Sequence, residues 1–570
     1  MLEIKRKINY NIKFFINIIM SGKVPSRVRI TRTQRNTPKY GGNPMSAGLI
    51  SCGFGRNRVI CQKIKSRTAA AVTPPRPKSP VTDLNFLKTI DLWSAGGSNQ
   101  ATVVSQFGAI GDWDTSAVTN MAEAFKNGRN STLGGTLDTT TFNEDISGWN
   151  TTAVQTMESM FKGATSFDQP ILGSLTDTGT GANAWDTSSV TTMESMFEGA
   201  TNFTNGGALL GGGAGSGSAN YSITAKLGSA SGVSCKAMFK NALTTANFDG
   251  LFSPIDAPGN KNEIFKNCND MSSLFEGCTQ FNKNISKLVT DNCENMSAMF
   301  KDCTIFNHDI HPNNNGGAGT WKTDNVENMS SMFENASAFN NGESGINVYQ
   351  LVLVTSSVKD MSSMFNGAAA FNNKGNDLNW DRNTGSVTDM SSMFEDATAF
   401  NASVFFWDTT SVINMSSMFK GATAFNKVIS VGSNTGNPPQ YNYWQTDNVT
   451  DMSSMFEGAT TFNVGPFPSA QLDINTAAVT DMSNMFNGAT VFNRNLEHWD
   501  ISSITTSANL KNCFNGSAVN QTFSDTTGGG TWFTTAQNLA AVADIPNFYT
   551  NGDDYDGNPA TATQEPELTA

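Results

Sequence analysis

From Val118 onward one pattern of apolar and polar positions recurs: Val-x-x-Met-x-x-Met-Phe-x-x-Ala-x-x-Phe-Asn, usually with Trp-Asp-Thr just ahead of it. Clear copies run Val154, Met157, Met160, Phe161, Ala164, Phe167; then Val190, Met193, Met196, Phe197, Ala200, Phe203; and Val326, Met329, Met332, Phe333, Ala336, Phe339. Further copies start at Val358 (with Met361, Met364, Phe365), Val387 (Met390, Met393, Phe394), Val412 (Met415, Met418, Phe419), Val449 and Val479. Degenerate copies surround Phe125, Phe239, Phe275, Phe300 and Phe514, for about thirteen units in all.

Offsets 0, 3, 6, 7 and 10 on a helix fall within about 120° of one another, so the stripe predicts a short amphipathic helix in each unit. Asp-Thr-Ser before Val118 and Val190 supplies capping oxygens, and Gly or Asn after the Phe favours a stop. Such a helix has barely two turns and needs stacking on its neighbours. An apolar residue stands five before the Val: Trp113, Trp149, Trp185, Trp321, Trp407 and Trp444, with Leu288, Leu353 and Ile474 as substitutes. An extended segment there would pair with its equivalent in the next unit at about 4.8 Å, a narrow parallel sheet along the array. The Asn after the second Phe turns the chain and satisfies loop backbone groups. The expectation is an α/β repeat solenoid of about 13 repeats, each of 25 residues or more, with one short helix and one short strand per repeat. Insertions such as Asp168–Ala184, Asn205–Ser231, Asn341–Gln350 and Val428–Tyr443 fall between the Phe-Asn and the next Trp, so they emerge from one region of each unit.

Charge divides the chain. Residues 1–80 hold 17 Lys/Arg against one acid, Glu3, a net +16; the remaining 20 Lys/Arg and 48 Asp/Glu give −28. Pro25, Pro38, Pro44, Pro74, Pro75, Pro77 and Pro80 punctuate the basic segment, which offers little apolar surface to offset ordering entropy. The predicted organisation is a basic disordered arm or targeting segment at 1–80, an N-terminal capping unit at 81–112, the solenoid at 113–520, and a C-terminal cap with an acidic disordered tail at 521–570. Lys5-Arg6-Lys7 followed by apolar residues is a poor secretory signal, broken by Asn9, Asn11, Lys13 and Asn17 with no cleavage site after it; Met20 is an alternative start to Met1. Leu49-Ile50-Ser51-Cys52 has the order of a lipobox without the apolar segment that should precede it. An Arg-rich, acid-poor segment also fits a transit peptide, or an electrostatic contact with nucleic acid or another polyanion. No stretch reaches the roughly 18 apolar residues of a membrane span, so no transmembrane segment is expected.

The Trp-Asp-Thr-Ser-x-Val-Thr-x-Met-x-x-Met-Phe-x-x-Ala-x-x-Phe-Asn units over about residues 83–520 resemble the BspA-like leucine-rich-repeat surface proteins, including the mycoplasma surface lipoproteins of unknown function; similar arrays occur in marine protists and large viruses. Asp83–Trp93 and Phe107–Trp113 look like that family's capping helix and first coil. The resemblance implies leucine-rich-repeat-like right-handed coils in a cell-surface adhesion or recognition protein. The basic arm and the absence of a recognisable sorting motif depart from the family's pattern.

Composition argues against catalysis. His (3) is nearly absent, leaving few groups suited to proton transfer near neutral pH, and no nucleophile–base constellation occurs. Six of the eight Cys replace stripe residues: Cys268 and Cys293 at the Val position, Cys278 and Cys303 at Ala, Cys235 and Cys513 at a Met. They read as buried core thiols, with a disulfide between stacked equivalents such as Cys278 and Cys303 as the alternative. His308 and His311 lack a third metal ligand. Asp554, Asp556, Asn558 and Glu565 mimic a calcium loop, but Pro559 stands where Gly is required. Gly211–Gly217 lacks the ending of a phosphate loop, and the sequons Asn130-Ser131-Thr132 and Asn220-Tyr221-Ser222 lie in loops. No cofactor or metal is expected.

Two functions follow as expectations. One is a non-catalytic recognition or adhesion protein, at the cell surface or secreted, binding a protein or glycan on another surface. The other is a structural, virion-associated or intracellular protein whose arm docks on nucleic acid or another polyanion.

Overall fold

A computed structural model gives the backbone of residues 50–55 and 58–63, and describes residues 78–171, 185–205, 232–242, 265–285, 288–310, 321–342, 350–378, 380, 383–429, 444–464, 472, 474–494, 496, 499 and 503–518. The chain divides into two compact units, Met1–Pro77 and Lys78–Ala570. In the first, β1 (Ile50–Gly55) and β2 (Arg58–Lys63) form an antiparallel hairpin, a local element where composition predicted none.

The second unit opens with α1 (Phe86–Ser94) and α2 (Gly97–Phe107). Phe86 and Ile90 of α1 are buried, and the Phe86 ring meets Trp149 edge-on at 5.7 Å. Trp113 and Trp149 stack at 5.8 Å. The cap is locked by a buried ion pair between Arg129 and Asp91 of α1, while the Thr132 N–H donates to the same carboxylate. Arg129 also donates to the carbonyls of Glu123, Ala124 and Asn130.

The repeats are not helices. In the unit of Val190 the N–H of Val190 donates to Thr187 C=O, Met196 to Met193, Ala200 to Phe197 and Phe203 to Ala200, at 2.9–3.1 Å. These are turns closed by three-residue steps, and each three-residue spacing of the motif is one turn. The alternate N–H groups leave the unit altogether: Met193, Ser195, Phe197 and Gly199 donate to Ser234, Lys236, Met238 and Lys240 of the next unit at 2.8–2.9 Å. A helix would send those N–H groups back four residues within its own segment. Left-handed residues make the alternation feasible. Ser195 (φ +55°) and Gly199 (φ +69°) in this unit, and Ser417 (+55°) and Gly421 (+67°) in another, break any helical run. The expected short amphipathic helix is therefore replaced by a string of turns.

The stripe of the clear copies is nonetheless interior. In the units of Val190, Val326, Val358, Val387 and Val412, the Val, both Met and the central Phe are at most 2% exposed, as are Ala200, Phe203, Ala336 and Phe339. Central Phe rings stack along the array, for example Phe333–Phe365 at 5.4 Å and Phe365–Phe394 at 5.6 Å. Within a unit the two Phe rings lie closer, as in Phe365–Phe371 at 3.9 Å.

The parallel pairing also sits elsewhere than expected. Single-residue parallel bridges run Thr156–Thr192, Thr192–Ser234, Asp270–Asn295, Asn295–Asn328 and onward to Asp451–Asp481, at the residue just before the first Met. Only β3 (Val233–Ser234) and β4 (Cys268–Asp270) extend a bridge into short strands among the described residues of the array. The Trp is not in a strand; its indole N–H reaches back to the preceding unit, Trp185 to Ile146 C=O and Trp407 to Leu378 C=O. A bulky ring needs one hydrogen bond when buried, and this carbonyl supplies it for Trp185 and Trp407, whereas the buried Trp321 indole N–H has no partner among the described residues.

Two further polar rows join the units. The buried Thr of Trp-Asp-Thr donates its hydroxyl forward: Thr323 Oγ1 to Val354 C=O at 2.8 Å, while accepting the Val354 N–H at 2.9 Å. The Asn after the second Phe accepts from the next unit's backbone, as in Asn340 N–H to Asn307 Oδ1 and Asn372 N–H to Asn340 Oδ1. The Asn thus ties neighbours together as well as turning its own loop. Replacing Thr323 by Val keeps the shape and leaves the Val354 N–H and C=O without their partner. Urea unfolding should show a loss of about 1–3 kcal/mol.

Candidate functional site

With the interior saturated, what varies from unit to unit is what faces out. The two residues flanking the buried Val point away from it: Asn325 and Glu327, Ser357 and Lys359, Ser386 and Thr388, Asn448 and Thr450. Several anchor to the preceding unit's backbone, Ser386 Oγ to Ser356 C=O at 2.8 Å and Asn448 Nδ2 to Thr410 C=O at 2.7 Å, which fixes their direction.

Beside these columns runs the bridge row. Over the last five bridged units it reads Asp360, Asp389, Asn414, Asp451, Asp481, and no Lys or Arg stands in it anywhere from Asn120 onward. Each side chain closes a tight turn by accepting the N–H two residues on, as Asp389 does from Ser391 and Asp451 from Ser453, both at 2.8 Å. One carboxylate oxygen is thereby fixed by the backbone.

The row after the central Phe has the opposite character. Charges pair between units: Lys162 with Glu198 at 2.7 Å, Lys240 with Glu276 at 2.9 Å, Lys301 with Glu334 at 2.8 Å and Lys420 with Glu395 at 3.0 Å. The Lys301 and Lys420 ammonium groups are raised by their hydrogen bonds to Glu334 and Glu395. Among the described residues, ion pairs therefore form along this row and none forms along the bridge row.

The cysteines divide differently from expectation. Cys235 and Cys268 form a disulfide, joining a Met position in one unit to a Val position in the next. Cys278 and Cys303, the stacked equivalents, are thiols instead: each is held as a donor to the preceding unit's Phe carbonyl, Phe239 and Phe275, at 3.0 Å. Burial pushes Cys293 up to about 12 and raises Cys303 and Cys513 as well. Native protein should thus resist iodoacetamide at Cys293, Cys303 and Cys513 at pH 8 and react there only on unfolding, because the thiolate is the nucleophile. Mass mapping of alkylated peptides checks this.

No group of three or more His, Cys, Asp or Glu able to hold a metal occurs among the described residues. His308 Nε2 lies 3.1 Å from the Asn282 carbonyl oxygen. His311, the calcium-like residues Asp554, Asp556, Asn558 and Glu565, the Gly211–Gly217 run, Asn220, the body of each insertion and the expected cap at 521–570 lie outside the described residues. Asn130 is exposed on a loop closed by its bridge to Thr136. What sequence reasoning missed is the bridge row, whose signal was present: an Asp, Asn, Thr or Ser directly before the first Met and a Ser two residues later in most units.

A family model described as "Mycoplasma protein of unknown function, DUF285" matches residues 99–205, 233–353, 352–438 and 432–543. The chain belongs to this family. The four matched stretches follow one another along the chain, so this DUF285 protein carries the family's repeat in tandem. No curated protein and no solved structure matches it. No helix among the described residues is long and apolar enough to cross a membrane.

Proposed function

We propose that this DUF285 protein is a non-catalytic recognition or adhesion repeat protein that binds a protein or glycan on another surface. In this reading residues 113–520 wind as a BspA-like, leucine-rich-repeat-type solenoid of right-handed coils, and the cell surface or the secreted space is its location. The observation that carries the proposal is the contrast between a uniform interior and outward columns that change from unit to unit, Glu327, Lys359, Thr388, Ile413, Thr450 at one position alone. A surface built this way offers extended area with position-specific side chains and no reacting centre. The Cys235–Cys268 disulfide supports the location, since such bonds persist in oxidising compartments. Binding of the full chain to a glycan array and to intact cells tests the reading. Saturable binding weakened by multiple substitutions in the Val-flanking columns supports it; binding indifferent to those substitutions removes it.

The +16 of residues 1–80 favours a second reading, a structural protein whose arm docks on nucleic acid or another polyanion. It predicts affinity for DNA or heparin that falls steeply with salt, and a shallower slope once arm Lys and Arg are replaced by Gln. A slope unchanged by that replacement sets this reading aside.

A further inference from the structure

Consecutive central Phe rings are separated by 5.4–5.7 Å at every step from Phe125 to Phe514 but one. The exception is Phe239–Phe275 at 6.1 Å. The same step carries the register shift between β3 and β4, where Val233 pairs with Cys268 but Ser234 with Asp270. It also lacks the usual rungs. The unit of Phe239 has Gly232 at the Val position, and the unit of Phe275 has Phe265 where most units have the buried Thr. The links that the structure describes across this step are the backbone ladder, Cys235, Ala237, Phe239 and Asn241 donating to Asp270, Ser272, Leu274 and Glu276, with Val233 donating to Asn267, together with the Lys240–Glu276 ion pair, the Cys278 thiol donating to Phe239 C=O and the Cys235–Cys268 disulfide.

We propose that this disulfide is a redox clip at the weakest joint of the array. Oxidised, it holds the repeats before and after the joint as one continuous stack; reduced, it lets the stack part between Asn241 and Phe265. The reductant is a dithiol. One of its thiolates attacks a cystine sulfur and breaks the S–S bond, its second sulfur then displaces the mixed disulfide, and the dithiol leaves as a cyclic disulfide after passing two electrons and two protons to Cys235 and Cys268. Both sulfurs are buried, so attack follows a local opening of the joint. Parting would break any outward surface that crosses the joint while leaving each block of repeats intact, since each contacts mainly its neighbours.

The test is hydrogen exchange by mass spectrometry on the full-length protein, air-oxidised and after dithiothreitol. Reduction should speed exchange of the amides of Cys235, Ala237, Phe239 and Asn241 by at least about tenfold, as local opening replaces a clamped ladder, and leave Met390–Asp396 unchanged. A Cys235→Val/Cys268→Val double variant should show the same fast joint without reductant. Three results overturn the proposal: both cysteines alkylated in denatured, unreduced protein; equal joint protection in oxidised and reduced protein; or a double variant as protected as the oxidised wild type.

Discussion

Replacing Phe365 by Ala should destabilise the array by about 3–5 kcal/mol, the range for removing a fully buried aromatic side chain. The ring is 0% exposed and stacks on four others: Phe333, Phe339 and Phe394 in the neighbouring units and Phe371 in its own. Its backbone N–H also donates to Met393 C=O at 2.8 Å, a bond the substitution leaves in place, so the loss reports packing alone. Because each unit contacts mainly its neighbours, the damage should stay local. Hydrogen exchange should rise for the units of Val326, Val358 and Val387 before it rises near Val154 or Val449. Urea unfolding that loses less than about 1 kcal/mol would show that the site collapses around the gap, contrary to a close-packed column.

The interior of this protein was legible because burial needs only apolar identity at a fixed spacing. Val358, Met361, Met364 and Phe365 read as one face from the sequence, and in the structure all four are buried. The backbone conformation that puts them there was not legible in the same way. Offsets of three, three, one and three satisfy both a helical stripe near 3.6 and a run of three-residue turns, and the stripe alone does not separate them. The deciding residues are small and polar. Ser363 at φ +55° and Gly367 at φ +68° adopt a conformation that only Gly visits freely, and Ser there is a poor sequence signal. The regular Gly, Asn or Asp two residues after the central Phe was the better clue: Gly367, Asp396, Gly421 and Gly458 all have positive φ. A helix stop and a left-handed turn favour the same residues, so the clue supported either reading.

The position of the parallel bridges was lost for a related reason. A Trp amid polar residues suggests a half-buried strand, whereas Asp389 before a Met suggests a turn. Both local preferences are real. Here the turn residue makes the bridge, because its side chain caps its own turn while its backbone pairs across units, as Asp360 does with Asp389. The disulfide was missed because equivalence along the stack was the only pairing rule available. Cys235 and Cys268 meet at non-equivalent positions, and the unit of Cys235 carries Gly232 in place of Val.

Replacing Arg129 by Ala should unlock the N-terminal cap at a cost of about 3–5 kcal/mol, the penalty for leaving one partner of a buried ion pair uncompensated. The Arg129 side chain is 4% exposed and Asp91 is fully buried. Burial alone would raise the Asp91 carboxyl; the hydrogen bonds from Arg129 and Thr132 and the charge of Arg129 outweigh it and hold the group below the usual carboxylate range. A carboxyl lowered in the folded state adds stability that is present above its unfolded value, about pH 4, and is lost as pH falls through the folded value. The wild-type cap should therefore be indifferent to pH between neutrality and about pH 4 and loosen only below it. In the variant the order changes, because Asp91 keeps its burial and loses the group that held it down. Its carboxyl rises, so protonation at milder acidity removes the stranded charge and the cap regains part of its protection as pH falls through the raised value. An Asp91→Asn change in the same background, which removes the stranded charge, should recover part of the loss at pH 7 and abolish the new pH dependence. Exchange of the α1 amides from Phe86 to Ser94, followed from pH 7 to pH 4 in the three proteins, reads all of these outcomes; equal protection in wild type and Arg129→Ala at pH 7 would show that the ion pair does not hold the cap.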